Sequence, residues 1–82
     1  MTNAKLNELI HERDRNTCCL CGRYVDPGVK WHHVIFRSHG GKDTAQNGVT
    51  LCMDCHSIAH GEFAKDARAK LQEYLRRINE HT

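Results

Sequence analysis

Residues 31–41, WHHVIFRSHGG, set two histidines side by side at the head of an apolar, β-branched run. Side chains alternate faces along a strand, so His32 and His33 point in opposite directions and cannot share one task. A second pair, His56 and His60 in CHSIAH, has the i, i+4 spacing that puts two imidazoles on one face of a helix. His32, reaching over from the strand, completes a three-imidazole set that leaves positions open for water and a phosphate oxygen, as a catalytic metal requires. His33 then stays free of metal. Imidazole titrates near neutrality, so a free one beside such an ion can accept a proton from water. His39 reads as a loop residue, and His11 and His81 take no functional role.

The cysteines form a second constellation. Cys18 and Cys21 make one CxxC and Cys52 and Cys55 another. Two such pairs, separated by a strand-forming stretch, can present four thiolates to Zn²⁺ from two tight turns. Gly22 suits the first turn, which needs a backbone conformation that glycine reaches at no steric cost. Cys19 is left over as a spare thiol. A redox CxxC or a pair of disulfides competes with this reading, but two matched pairs, in a chain whose first residues show no secretory leader, favour structural zinc. Four thiolates close the coordination sphere, so this zinc clamps the fold and does not catalyse.

A chain of 82 residues with 39% hydrophobic and 6% aromatic content is expected to form one small domain, 1–82, with too little apolar surface to stand on packing alone. The net charge of +2 permits a nucleic-acid partner without demanding one. No run is long enough for a membrane span, and reduced thiols suit the cytoplasm. Leu6, Leu9, Ile10 and Arg13 fall at helical spacing, with Asn3 as N-cap and an end near Asp14. Val34–Phe36 reads as part of a strand stopped by Gly40-Gly41, Val49–Leu51 as a second strand, and Asp54–His60 as a helix ended by Gly61. Phe63, Ala67, Leu71, Tyr74, Leu75 and Ile78 make the apolar stripe of a C-terminal amphipathic helix over about 62–79. Lys65, Arg68, Lys70, Arg76 and Arg77 lie mostly off that stripe, as a solvated flank.

With these residues in view, the stretch from Arg13 to His60 resembles the HNH endonucleases through RDRNTCCLCG, HHVIFRSHGG, NGVTLCMDCH and the closing IAH. The resemblance implies a small α+β fold, a ββα-metal core over about 13–61 stapled by a four-cysteine zinc site and flanked by N- and C-terminal helices. It implies a metal-dependent endonuclease that hydrolyses DNA phosphodiester bonds, by nicking or double-strand cleavage, to 5′-phosphate and 3′-hydroxyl ends in a bacterial or phage-infected cell. His33 falls on the family's general base and Asn47 on the asparagine that bridges the loop and holds the strand. His56 falls on the metal-binding helix histidine, and His32 on the metal ligand before the base. His60 is similar to a ligand of the colicin-type nucleases.

An ordinary Asn-Gly turn at Asn47-Gly48 is the competing reading for that asparagine. Arg37 is near enough in sequence to clamp a phosphate. The catalytic ion is drawn from Mg²⁺, Mn²⁺, Ni²⁺ and Zn²⁺, and imidazole ligands favour the last three. Two other functions fit the same residues. One is a non-catalytic zinc-stapled DNA-binding module. The other is a nuclease subunit that acts only with a partner, either a second copy or a packaging or restriction protein docked on the C-terminal stripe.

Overall fold

Leu6 and Ile10, one helical turn apart, give the first helix a buried face, and a computed structural model that describes residues 3–80 shows α1 as Asn3–Arg13. The side chain of Asn3, expected to cap it, and His81 lie outside the described residues. Arg13 in the last turn complements the negative end of the helix dipole. Arg15 and Asn16, with φ of 57° and 52°, then turn the chain out of the helix towards the first CxxC. A bridge between Thr17 and Tyr24 closes that turn. Gly22 sits inside it at φ +80°, a conformation that costs a residue bearing a Cβ about 1–2 kcal/mol.

Strand β1, His32–His33, pairs antiparallel with β2, Gly48–Val49, placing His32 opposite Val49 and His33 opposite Gly48. Both strands are shorter than the sequence pattern predicts. Val34–Phe36 leave the ladder because the Asn47 side chain takes the Ile35 amide at 2.8 Å and the Ile35 carbonyl at 3.0 Å. Arg37–His39 then wind into a 3-10 turn. Thr50 and Leu51 leave the second strand because the Thr50 amide donates to the Asp14 carboxylate at 2.8 Å, while its carbonyl accepts from the Cys19 amide at 2.9 Å. Backbone groups satisfied by side chains and loops have no need of a ladder.

Asn47-Gly48 is not a hairpin turn. Asn47 ends a 3-10 turn, Ala45–Asn47, and Gly48 is extended at φ −114° and ψ 141°. The glycine is there for close approach, since a Cβ would lie 2.5 Å from Ile10 Cδ1 and 2.7 Å from Trp31 Cε3.

Helix α2, Met53–Ala59, is capped at its start by Cys52, whose Sγ accepts from the Cys55 amide at 3.4 Å. Helix α3, Ala64–Glu80, begins later than the expected 62. The corner between the two helices includes Phe63, which is therefore 59% exposed and not part of the buried stripe. Ala67, Leu71 and Leu75 carry that face and join Val34, Val49, Leu51, Cys55 and Ala59 in the main core. Leu6, Ile10 and Trp31 form a smaller second core. Among the described residues no helix is long and apolar enough to cross a membrane.

One buried carboxylate ties these parts together. The Asp14 side chain is fully buried. It accepts from Arg13 Nε at 2.9 Å and Nη2 at 3.0 Å, and from the Tyr74 hydroxyl at 2.5 Å, besides the Thr50 amide. Arg13 in turn donates to the carbonyls of Ala45 and Gly48, both at 2.7 Å. Burial pushes the Asp14 carboxyl up, but the Arg13 and Tyr74 hydrogen bonds, the Arg13 charge and the Thr50 amide outweigh it and hold the group below its ordinary 3.8. Its stabilisation is therefore fully present above the ordinary value and is lost as pH falls through the folded one. Asp14→Asn, unfolded in urea at pH 7 and fixed zinc concentration, is expected to lose about 3 kcal/mol, the scale of a broken buried ion pair. A loss under about 1 kcal/mol would reduce the network to the worth of one neutral hydrogen bond.

Candidate active site

The antiparallel register sends the two histidines of β1 to different neighbours. His32 is buried, its ring edge-on to His56 and His60 with centroids 5.1 and 5.3 Å away. One nitrogen from each of the three rings lies within 4.8 Å of the others. His56 Nε2 and His60 Nε2, on successive turns at the end of α2, are 3.1 Å apart. Two nitrogens on one tetrahedral ion, each at about 2.0–2.1 Å, stand roughly 3.3 Å from one another, so the set fits a single divalent cation. Burial, followed by the charges of His56, His60 and His33, lowers His32 to about 4. Burial and then His60 lower His56 in the same direction. Neutral imidazole is the form that ligates metal. Phe36 stacks on His60 at 4.7 Å and meets His32 edge-on at 5.9 Å, forming an apolar wall beside the three rings.

His33 faces elsewhere. Its ring lies 4.1 Å from that of Trp31, and its Nε2 is 2.6 Å from Asp43 Oδ1. Arg37 Nε is 3.9 Å from the same carboxylate oxygen. The hydrogen bond from His33 holds the Asp43 carboxyl below its usual range against the opposing effect of burial, with the Arg37, His33 and Lys30 charges adding to it. Asn47 spans the loop between the strands. It accepts from the Ile35 amide and donates to the carbonyls of Ile35 and Lys42. His32, His33, His56 and His60 open onto one cleft of about 330 Å³, with Lys30 and Arg37 also in its lining. The structure thus gathers all the sequence-predicted histidines and Arg37 at one cleft, with Asn47 behind the loop that borders it.

The cysteines gather separately. The sulfurs of Cys18, Cys21, Cys52 and Cys55 lie within 4.8 Å of one another, with Cys21 and Cys52 3.6 Å apart. Thiolates at about 2.3 Å around tetrahedral zinc are separated by roughly 3.8 Å, so this donor set fits structural zinc. Burial raises Cys18, but the amides of Cys52, Cys21 and Leu20 overcome it and bring the thiol to about 7. Burial, with hydrogen bonds inside the cluster, pushes Cys55 up. Cys19 stands outside the cluster. Burial, then the Asp14 charge, drives it up to about 12, which keeps it an un-ionised thiol.

Sequence reasoning missed Asp43, Lys30 and Trp31. Asp43 meets His33 through an irregular loop that has no period to read. Trp31 gave a clearer signal: as the chain's single tryptophan, next to the histidine pair, it was a candidate to pack on one of them.

Residues 18–62 match the HNH endonuclease family. The chain is similar to the type IV methyl-directed restriction enzyme EcoKMcrA of Escherichia coli (strain K12), 34% identical over 77 residues that cover 85% of this chain and 27% of that enzyme. It is also similar to Anaredoxin of Nostoc sp. (strain PCC 7120), 33% identical over 63 residues that cover 76% of this chain and 82% of that protein. The chain thus spans about a quarter of the restriction enzyme's length. No solved structure matches.

Two donor sets of different chemistry should separate under substitution. With Co²⁺ replacing zinc, the wild type is expected to show thiolate charge-transfer absorption, and Cys55→Ser to lose it together with helical circular dichroism. His56→Ala should keep both. Loss of the thiolate band in His56→Ala, or an undiminished band in Cys55→Ser, would contradict two separate donor sets.

Proposed function

The chain belongs to the HNH endonuclease family, and we propose that it hydrolyses DNA phosphodiester bonds to 5′-phosphate and 3′-hydroxyl ends, with His33 as general base and His32, His56 and His60 holding a divalent cation. The observation that carries this reading is the split of adjacent imidazoles. His32 belongs to a cluster of rings at metal-binding separation, while His33 is bonded to a carboxylate outside that cluster, and both line one cleft. A module that only binds DNA has no use for that division.

His33 takes a proton from water at a ring nitrogen as the water oxygen bonds to phosphorus and the P–O3′ bond breaks, and the departing 3′ oxygen is protonated from solvent. When bound, the cation supplies Lewis-acid charge for a phosphate oxygen and for the leaving oxygen. Arg37, 75% exposed at the cleft, can reach a non-bridging oxygen with its guanidinium fork, and Lys30 adds a second positive charge. Asn47 keeps the loop behind the strand closed by its bonds to Ile35 and Lys42. Cys18, Cys21, Cys52 and Cys55 would hold structural zinc and clamp the turn before β1 to the start of α2. A reducing cytoplasm, where thiolates remain available to zinc, suits this assignment.

The test is cleavage of supercoiled plasmid by the zinc-loaded chain with Mg²⁺, Mn²⁺, Ni²⁺ or added Zn²⁺. Metal-dependent nicking is expected, with nicks that a ligase reseals because their ends are 5′-phosphate and 3′-hydroxyl. His33→Ala, folded and still zinc-loaded, should be slower by about 10²–10⁴-fold, the usual worth of a general base. DNA binding without cleavage in every metal would favour the zinc-stapled binding module, and a fully active His33→Ala would remove His33 from the chemistry.

A further inference from the structure

Resting on the reading of His33 as the base, we propose that Asp43 is a positioning residue of the reaction: its carboxylate fixes the His33 ring with a hydrogen on Nε2, leaving Nδ1 open to receive the proton from water. Asp43 Oδ1 lies 2.6 Å from His33 Nε2, and an ionised carboxylate only accepts, so this ring nitrogen carries the hydrogen. A neutral imidazole has one N–H, and the lone pair is then on Nδ1. Trp31, its ring tilted 38° against that of His33, limits rotation from the other side.

Asp43 is itself held in place. Asn47 Nδ2 donates to the Lys42 carbonyl at 3.0 Å, one residue before Asp43, and the same side chain binds Ile35 beyond β1. Asn47 therefore acts on His33 by two routes, through the strand and through the backbone that carries Asp43. The proton leaving water converts His33 to an imidazolium whose Nε2–H remains on Asp43, and the adjacent negative charge stabilises that ion.

Arg37 and Lys30 favour a carboxylate at Asp43, so an ion pair alone would account for its presence. The same two cations line a cleft suited to phosphate, and a negative charge beside them weakens their pull on DNA. A bystander carboxylate and a positioning one therefore predict opposite signs. Removing a bystander strengthens DNA binding and leaves cleavage equal or faster; removing a positioning residue slows cleavage although binding is equal or tighter.

The experiment uses the full zinc-loaded chain and Asp43→Ala. The Asp43 side chain is 38% exposed, so its loss opens no buried void, and circular dichroism with zinc content checks the fold. In plasmid nicking, kcat is expected to fall about 10- to 100-fold, by analogy with the loss of outer partners from metal-bound histidines, with KM for DNA unchanged or lower. Long-range ¹H–¹⁵N spectra of histidine-labelled protein should show the Nε2–H tautomer at His33 in the wild type and loss of that preference in Asp43→Ala. A kcat at or above the wild-type value, or one tautomer shared by both proteins, overturns the proposal. Failure of the nuclease reading looks different: wild type and His33→Ala would then be equally inactive, and the spectra alone would decide whether Asp43 sets the ring.

Discussion

The buried ion pair of Arg13 and Asp14 is the constraint on which the site's placement depends. Asp14 alone joins the end of α1 to Thr50 just past β2 and to Tyr74 in α3, and Arg13 extends the same unit to the carbonyls of Ala45 and Gly48. A carboxylate taken fully out of water is costly unless its lone pairs are filled, and here four donors fill them. The result is directional in a way that apolar contact is not. Apolar packing of Val49 would tolerate small slips of β2, whereas hydrogen bonds to Gly48 and Thr50 on either side of it fix the strand's position along its own axis. Register in a two-residue ladder then decides which way His32 and His33 face.

Helix α2, seven residues long, carries one member of each donor set, Cys55 and His56, with Cys52 and His60 as its two caps. Cys55 and His56 are adjacent, and consecutive residues on a helix are about 100° apart, so they serve different centres. Cys55 turns into the core with the sulfur cluster, while His56 and His60 turn towards His32. Zinc at the cysteines would anchor the start of this short helix, which is too short to be stable alone. The two clusters are thereby mechanically linked. A change that loosens the sulfur site is expected to blur the spacing of His56 and His60 as well.

Local spacing was readable from the sequence where one period or one turn contains the information. The CxxC pairs, the i, i+4 histidines and the Ala67, Leu71, Leu75 stripe are of that kind, and the structure brings each set together. Phe63 fits the stripe by period but falls on the corner before α3, because a period does not say where a helix begins. Contacts between distant segments were not readable. Nothing in the neighbourhood of Asp14 points to Tyr74, and nothing near Asp43 points to His33, since each pair depends on how irregular chain is folded back. Gly48 shows the same limit. Asn-Gly suggests a turn, yet the glycine is set by Ile10 and Trp31, which approach from elsewhere in the chain.

The short strands follow from the same cause and bear on how the cleft is built. Val34–Phe36 have strand-forming composition, but Asn47 takes both backbone groups of Ile35, so the chain bends away after His33. A longer strand would have carried Phe36 and Arg37 along the sheet and away from the histidines. The bend instead brings Phe36 onto His60 and keeps Arg37 on the lining of the cleft. Asn47 thus gives up ladder pairs worth about 1 kcal/mol each, and offsets them with its own hydrogen bonds. What it gains is position: β1 ends after His32 and His33, whose side chains take opposite faces. In this fold the asparagine and the ion pair act on the same two-residue ladder from its two sides, one limiting the length of β1 and the other setting the place of β2.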